Sequence, residues 1–517
     1  MAISHILLAF LLALPLLLTF LAARSSKKRP VYNGPTIYPI VGNIFEFFIN
    51  RRRFLEWATD AASRIPSNTF RIQRPGVSGF YTCNPANVEH ILRTHFDNYP
   101  KGQRFTYLLH DFLGRGIFNV DGELWKMQRK AASYEFKTNS LRNFVVETVQ
   151  WEIRNRLMPL LCNAAQIGDC IDLQNVFHGF AFDNICRVAF GVDPLHLRPS
   201  LSLAQAFDDA THISSGRFFY TLPHLWKLER FFNVGSEKRL REAILVVDEF
   251  VMGIIRSRRS EEEEGRVRED LLSRFMAAVM ANPELVIAGC DGEGTMADKT
   301  DVFLRDMVVS FIMAGRDTTS TALTWFFWLL SSRPSVEEAI RLEISQVLKA
   351  RKEEEEEEEE EIVLFSFEEL KSMHYLQAAL SESMRLCPPV PVDTKIAASD
   401  DVLPDGNVVR KGCFVSYGIY SMGRMESIWG SDCLEFKPER WLRNGEFVGE
   451  NPYRYPVFQA GPRICLGKEM SFIQMKSIAA SIIHRFSVTV KTEYVPKYTI
   501  SITLRMKGGL PVVISRR

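Results

Sequence analysis

One stretch near the C-terminus governs the interpretation of this chain, Phe458-Gln459-Ala460-Gly461-Pro462-Arg463-Ile464-Cys465-Leu466-Gly467. It places a cysteine in a glycine-punctuated loop. Its two glycines let backbone N–H groups approach the sulfur without crowding from a Cβ atom. The helix predicted from about Leu466 points the positive end of its dipole at the loop. Both effects favour the thiolate, which is the metal-binding form of cysteine. The alternative is a buried structural cysteine, the usual role of a free thiol.

Composition excludes several classes of protein. The 517 residues are 46% hydrophobic and 24% charged, as in an ordinary globular chain. A formal net charge of +1 leaves no basic excess for phosphates and argues against a nucleic-acid partner. The nine cysteines are odd in number and lack C-x-x-C spacing. They therefore predict neither a disulfide framework nor a zinc site, and they suit a reducing compartment.

The N-terminus predicts a membrane anchor. Residues Ile3 to Ala23 are almost wholly apolar, and a helix of that length crosses a bilayer core of roughly 30 Å. The basic residues that follow, up to Arg29, place the remaining chain on the cytoplasmic side. We predict an anchor over 1–29, with a cleaved secretory signal as the alternative. The proline-rich segment 30–43 is expected to be a stiff, extended hinge before a domain over 44–517.

The longest predicted helix spans Asp301 to Ser331 and contains Ala314-Gly315-Arg316-Asp317-Thr318-Thr319. Gly315 costs roughly 1 kcal/mol inside a helix, and small residues here would let a flat cofactor pack against the backbone. The Thr318 hydroxyl is expected to bond a backbone carbonyl and distort the helix, making room for water. Helix–helix packing through small residues is the alternative.

Three further patterns involve charged residues. Trp125 and Arg129 lie at i and i+4 on one helix face and offer N–H donors suited to carboxylates. Glu382 and Arg385 lie at i and i+3 within a helix predicted from Phe367 to Leu386. The nine consecutive glutamates at 353–361 predict a self-repelling surface insertion, with a docking tail as the alternative.

Together these motifs resemble the cytochrome P450 superfamily, the haem-thiolate monooxygenases. Phe458, Gly461, Arg463, Cys465 and Gly467 fit the pattern F-x-x-G-x-R-x-C-x-G at every defining position. The resemblance implies a mainly α fold with small β-sheets, in which haem b lies between the long helix and the cysteine loop. Cys465 is then the axial iron ligand.

The resemblance also implies roles for the other motifs. The pair Trp125 and Arg129 contacts the haem propionates, and Arg463, Phe458 and Gly315 belong to the haem site. Thr318 holds dioxygen and its water, while Asp317 relays protons. The remaining implied residues are a buried structural cluster and two substrate contacts: Glu382, Arg385 and Arg440, then Val390 and Val392.

The implied reaction inserts one oxygen atom of O2 into a C–H bond and releases the other as water. No flavin or nicotinamide fingerprint is visible, so the expected electron donor is an NADPH-dependent flavoprotein reductase in the same endoplasmic reticulum membrane. A basic docking face for it is predicted from five residues, Lys126, Lys130, Arg463, Lys468 and Lys476.

The substrate expectation comes from a narrower resemblance. The stretches 458–476, 420–430 and 311–330 resemble the plant fatty-acid ω-hydroxylase branch, which implies a fatty acid hydroxylated at or near its terminal methyl group. A sister group that oxidises jasmonoyl–amino acid conjugates is the alternative. Two other classes are a haem-thiolate isomerase or dehydratase and a non-catalytic haem carrier. The intact Asp317 and Thr318 argue against both.

Overall fold

A 35-residue helix at Met296–Leu330 forms the centre of the fold and is buried on almost every face. Its start is fixed by a capping box, in which Thr295 and Asp298 satisfy each other's backbone N–H groups. The sequence prediction began this helix at Asp301, five residues late, because apolar periodicity does not include the polar capping turn. The mainly α architecture with small sheets is confirmed.

The computed structural model describes residues 34–38, 41–136, 139–193, 201–220, 225–266, 270–289, 295–354, 362–491 and 494–517. Within these ranges, no helix combines the length and apolar character that a membrane crossing requires. The predicted anchor segment, 3–23, lies outside them. At the end of the predicted hinge, Tyr38 and Gly42 bond each other's backbone at 2.8 Å.

The α-helices of the described residues are numbered in chain order. They are α1 Ile44–Asn50, α2 Phe54–Ser63, α3 Pro85–Glu89, α4 Gly102–Leu113, α5 Gly122–Glu135, α6 Asn139–Glu152, α7 Met158–Ile167, α8 Leu173–Phe190, α9 Leu201–Gly216, α10 Leu225–Phe232, α11 Gly235–Glu263, α12 Leu271–Ala281, α13 Glu284–Gly289, α14 Met296–Leu330, α15 Pro334–Glu354, α16 Phe367–Ser372, α17 His374–Leu386, α18 Ile419–Met422, α19 Glu426–Trp429 and α20 Lys468–Arg485. A π-helical turn, His90–Thr94, continues α3.

The strands are short and form small sheets. They are β1 Thr69–Arg74, β2 Val77–Thr82, β3 Cys170–Asp172, β4 Asp393–Ile396, β5 Asp401–Val402, β6 Val408–Val409, β7 Phe414–Tyr417, β8 Leu442–Arg443, β9 Glu446–Phe447, β10 Phe486–Val490, β11 Lys497–Ile500, β12 Leu504–Lys507 and β13 Pro511–Arg516. The largest sheet has the order β1-β2-β7-β4, with β2 and β7 parallel.

One local prediction needs correction. The helix expected over 367–386 is two helices, α16 and α17, because the backbone leaves the helical conformation at Met373. The first two glutamates of the 353–361 run end α15, and 355–361 lie outside the described residues.

A buried ionic cluster joins α17 to the segment after β7. The Arg385 guanidinium donates to both carboxylate oxygens of Glu382 at 2.8 Å. Arg440 donates to the same carboxylate at 3.3 Å, and the Trp441 indole N–H donates at 2.9 Å. The Glu382 and Arg385 side chains have no exposed surface. Because a buried charge is tolerated only with such partners, the cluster fixes how these segments meet.

Candidate active site

A cavity of about 480 Å³ lies between the middle of α14 and the cysteine loop. Most side chains around it are apolar, and its volume falls in the range of small-molecule and cofactor sites. Segments far apart in the chain meet here, including α4, α5, β1 and β4. The predicted site residues that line it are Trp125, Arg129, Gly315, Thr318, Val390, Val392, Phe458, Arg463 and Cys465.

The cysteine loop is held by backbone contacts. The Cys465 N–H donates to the Phe458 carbonyl at 2.8 Å. Gly461 has φ +63°, and a Cβ atom there would lie 1.9 Å from the Leu92 carbonyl oxygen in the π-helical turn. Only glycine fits this approach. The Gly467 N–H lowers the pKa of the Cys465 thiol. The two glycines therefore differ in role: Gly461 allows the close approach of the loop to Leu92, and the Gly467 N–H favours the thiolate.

The environment of Cys465 suits a metal ligand better than a free nucleophile. The Cys465 side chain is solvent-accessible, and it lines the cavity. Burial raises the pKa of the Cys465 thiol, while the Gly467 N–H and the charges of Arg129 and Lys468 act in the opposite direction. Because burial prevails, ionisation needs a further positive charge, and a coordinated metal cation provides one.

Several side chains with N–H donors lie at the edge of the cavity beside the cysteine loop. The Arg463 guanidinium carbon lies 4.3 Å from the centroid of the Trp125 ring, and the guanidinium donates to the Asp121 carboxylate at 2.7 Å. Arg129 donates to the Ile464 carbonyl. Guanidinium and indole groups are the donors that a pair of carboxylates on a bound cofactor requires.

The opposite wall is α14, where the hydroxyl of Thr318 donates to the Ala314 carbonyl at 2.6 Å. The expected bond is present, but α14 remains a continuous α-helix through it, so the expected distortion is absent. A Cβ atom at Gly315 would lie 2.8 Å from the Ile185 side chain of α8. Helix–helix packing therefore explains Gly315, although its backbone also lines the cavity.

Asp317 lies on a different face of α14 and is not among the cavity-lining residues. Its carboxylate accepts from Arg316 at 3.0 Å, and Arg316 also donates to Asp208 at 2.9 Å. Burial raises the pKa of Asp317, and the Arg316 guanidinium opposes that rise. Its proton-relay role stays a prediction, and a relay through Asp317 would have to begin from this ion pair.

Of the five residues predicted to form the reductase-docking face, three are exposed: Lys126, Lys130 and Lys468. Lys476 is buried and donates to the Gln377 side chain at 3.0 Å, and burial lowers its pKa to about 8. Arg463 points inward to Asp121. Lys476 and Arg463 show that sequence position alone does not separate exposed basic residues from buried ones.

A second buried cluster was missed by the sequence prediction. The Asp393 carboxylate accepts from Lys101 at 2.7 Å, from Lys395 at 2.9 Å and from the Tyr417 hydroxyl at 2.8 Å. Burial lowers the pKa of Lys395 to about 7, whereas the two ammonium groups hold the pKa of Asp393 below its usual range. The residues come from the N-cap position of α4, from β4 and from β7. Because they are far apart in the chain, no local motif predicts the cluster.

Haem is a flat apolar macrocycle with two propionates, and the cavity meets these requirements. Apolar walls, a single cysteine and edge donors for carboxylates define the class of a haem-thiolate protein. The family model described as Cytochrome P450 matches residues 33–509. The chain therefore belongs to the cytochrome P450 family, and it is a haem-dependent monooxygenase.

Three relatives illustrate the match. The chain is 46% identical to Cytochrome P450 94A1 of Vicia sativa over 93% of this chain and 90% of that protein. It is 45% identical to Cytochrome P450 94B1 of Arabidopsis thaliana, over 94% of this chain and 92% of that protein. Cytochrome P450 86B1 of Arabidopsis thaliana is 43% identical over 94% and 86%, respectively.

Replacing Asp393 by Asn tests the buried cluster. The buried Lys395 and the partly buried Lys101 would lose their carboxylate, so we expect the free energy of unfolding to fall by about 3–5 kcal/mol. Denaturant unfolding, followed by haem absorbance and circular dichroism, measures this change. Asp400→Asn is the matched control, because Asp400 is exposed and pairs with exposed Arg410, and its loss should cost below about 1 kcal/mol. Equal losses for both variants would contradict the assignment.

Proposed function

We propose that this chain hydroxylates a fatty acid at or near its ω end, using O2 and electrons from an NADPH-dependent flavoprotein reductase. The observation that carries this proposal is the apolar lining that α4 and the segment 389–392 give the cavity in addition to the cysteine loop that would hold haem, because such a lining suits an unfunctionalised hydrocarbon chain. The resemblance of three stretches to the fatty-acid ω-hydroxylase branch supports the acid. Substrate, O2, NADPH and a proton would yield the hydroxylated acid, water and NADP+.

In this proposal Cys465 would hold the haem iron through its thiolate, and the haem would supply the oxygen-activating chemistry. The loop contributes orientation, because Gly461 fixes its position. The Gly467 N–H lowers the pKa of the Cys465 thiol and so favours the thiolate. Trp125, Arg129 and Arg463 would hold the two propionates.

Thr318 is the proposed proton-handling group on the other wall. Its hydroxyl faces the cavity and holds the Ala314 carbonyl at 2.6 Å. A hydroxyl both donates and accepts, so it can hold a water molecule and pass a proton without itself becoming charged. Val390 and Val392, on the segment that follows α17, line the cavity and would contact the hydrocarbon chain.

The remaining assignments concern location and partners. We propose residues 1–29 as a single anchor in the endoplasmic reticulum membrane, 30–43 as its connection and 44–517 as the cytoplasmic catalytic domain. The basic stop at Arg24 to Arg29 supports this orientation. Exposed Lys126, Lys130 and Lys468 flank the cysteine-loop side and would attract an acidic reductase.

Product analysis tests the substrate proposal. The full chain, incubated with reductase and NADPH, should convert saturated long-chain fatty acids to products hydroxylated at or next to the terminal methyl group. Mass spectrometry of derivatised products locates the new hydroxyl. Jasmonoyl–amino acid conjugates belong in the same panel as the alternative acids. Turnover of the conjugates without turnover of any fatty acid would reject the preferred substrate.

Thr318→Ala tests the proton-handling role. Without the hydroxyl, we expect the ratio of product formed to NADPH consumed to fall at least several-fold, because proton delivery contributes factors of about 10²–10⁴ in general. The measurement pairs NADPH oxidation with product quantification. Thr318→Ser keeps the hydroxyl and should retain most of the coupling. An unchanged ratio in Thr318→Ala would remove Thr318 from the mechanism.

A further inference from the structure

The cavity carries a surplus of positive charge. Six basic side chains and one acidic side chain, Asp393, line it. Lys101 and Lys395 bond Asp393, and Arg129 and Arg463 lie beside the cysteine loop, where the two haem propionates are proposed to lie. The two remaining basic side chains of the lining are Arg74 and Arg104.

Arg74 ends β1 and is almost fully buried, with 7% of its surface exposed. Its guanidinium donates to the Tyr220 carbonyl at 3.1 Å and to the Phe218 carbonyl at 3.5 Å. The guanidinium also lies 4.2 Å from the centroid of the Phe47 ring. Its Nε atom is buried without a hydrogen-bond partner in the described part of the chain. Burial lowers the pKa of Arg74 only to about 10, so the group stays charged at neutral pH.

Arg104 lies in the first turn of α4 and is partly buried. The next residue, Phe105, packs against Phe218 with ring centroids 5.4 Å apart, and Phe218 offers its carbonyl to Arg74. This contact brings the two guanidinium groups to the same part of the cavity. The charge of Arg104 contributes to the lowered pKa of Arg74. Among the described residues, neither arginine forms an ion pair with a carboxylate.

We propose that Arg74 and Arg104 bind the carboxylate of the substrate. This inference rests on the proposed function and deepens it, because it identifies what recognises the acid. Two like charges held together in an apolar wall are costly unless an anion joins them. The planar fork of a guanidinium matches a carboxylate, and two forks bind one acid group more selectively than one.

The location of this pair explains attack at the far end of the chain. Arg74 and Arg104 belong to β1 and α4, next to the 217–220 segment, whereas Cys465 and Thr318 belong to the cysteine loop and α14. When Arg74 and Arg104 hold the acid group, only the hydrocarbon tail of the substrate can reach the part of the cavity beside Thr318 and Cys465. The carboxylate would thus set both substrate class and hydroxylation position.

The test compares dodecanoic acid with its uncharged methyl ester on the full-chain holoenzyme, using the haem spectral shift on binding. The unaltered enzyme should bind the acid more tightly than the ester. In Arg104→Gln the dissociation constant for the acid should rise about ten- to hundredfold, the usual range for a lost charged hydrogen bond. The constant for the ester should stay the same. Arg104→Lys should recover part of the loss.

Two further variants separate recognition from folding. Arg74→Gln should show the same selective loss, and the double variant should hydroxylate more positions along the chain. Arg71→Gln is the matched control, because Arg71 lies on the same strand with its side chain exposed, and it should change neither constant. Equal losses for acid and ester, or loss of haem from Arg104→Gln, would overturn the proposal.

The result for the unaltered enzyme distinguishes failure of the arginine pair from failure of the proposed substrate class. Binding of the ester without any preference for the acid would overturn the arginine pair and leave hydrocarbon hydroxylation standing. No spectral response to either compound, with the haem spectrum intact, would contradict both the substrate class and the arginine pair.

Discussion

The contact between Gly461 and the Leu92 carbonyl is the constraint on which the site depends. No side chain fits there, and the positive φ of Gly461 turns the chain so that Cys465 faces the cavity. The same turn allows the Cys465 N–H to reach the Phe458 carbonyl. A π-helical turn supplies the Leu92 carbonyl, so an irregular element far upstream positions the proposed iron ligand. Such turns recur at functional sites in many proteins.

Charged side chains interrupt the apolar lining of the cavity at several places. Arg129, Arg463 and Trp125 lie beside the cysteine loop, where the haem carboxylates are proposed to bind. Arg74 and Arg104 also line the cavity and are without an acidic partner among the described residues. Asp393 pairs with Lys101 and Lys395. The apolar walls make each of these charges costly to leave unpaired, so the charge pattern indicates what the cavity binds.

The sequence was sufficient for features that are local or that belong to a strong motif. The cysteine loop, the α14 helix and the Glu382–Arg385 pair could all be located from spacing along the chain. Family membership then followed from several motifs together. In contrast, the Asp393 cluster combines the N-cap of α4 with β4 and β7, and the arginine pair combines β1 with α4. Hydrophobic periodicity along the sequence does not predict contacts between segments that are far apart in the chain. The sequence also did not predict the orientation of individual side chains. Asp317 pairs with Arg316, and Lys476 is buried.

The central claim is that Cys465 is the thiolate ligand of the haem iron. The most direct measurement is the absorption difference spectrum of the reduced protein with and without carbon monoxide. The account predicts the red-shifted Soret band of thiolate-ligated haem for the unaltered chain and for Cys170→Ser, which changes an exposed cysteine. Cys465→Ser should lose that band. Persistence of the band in Cys465→Ser, or its absence from the unaltered chain, would contradict the account.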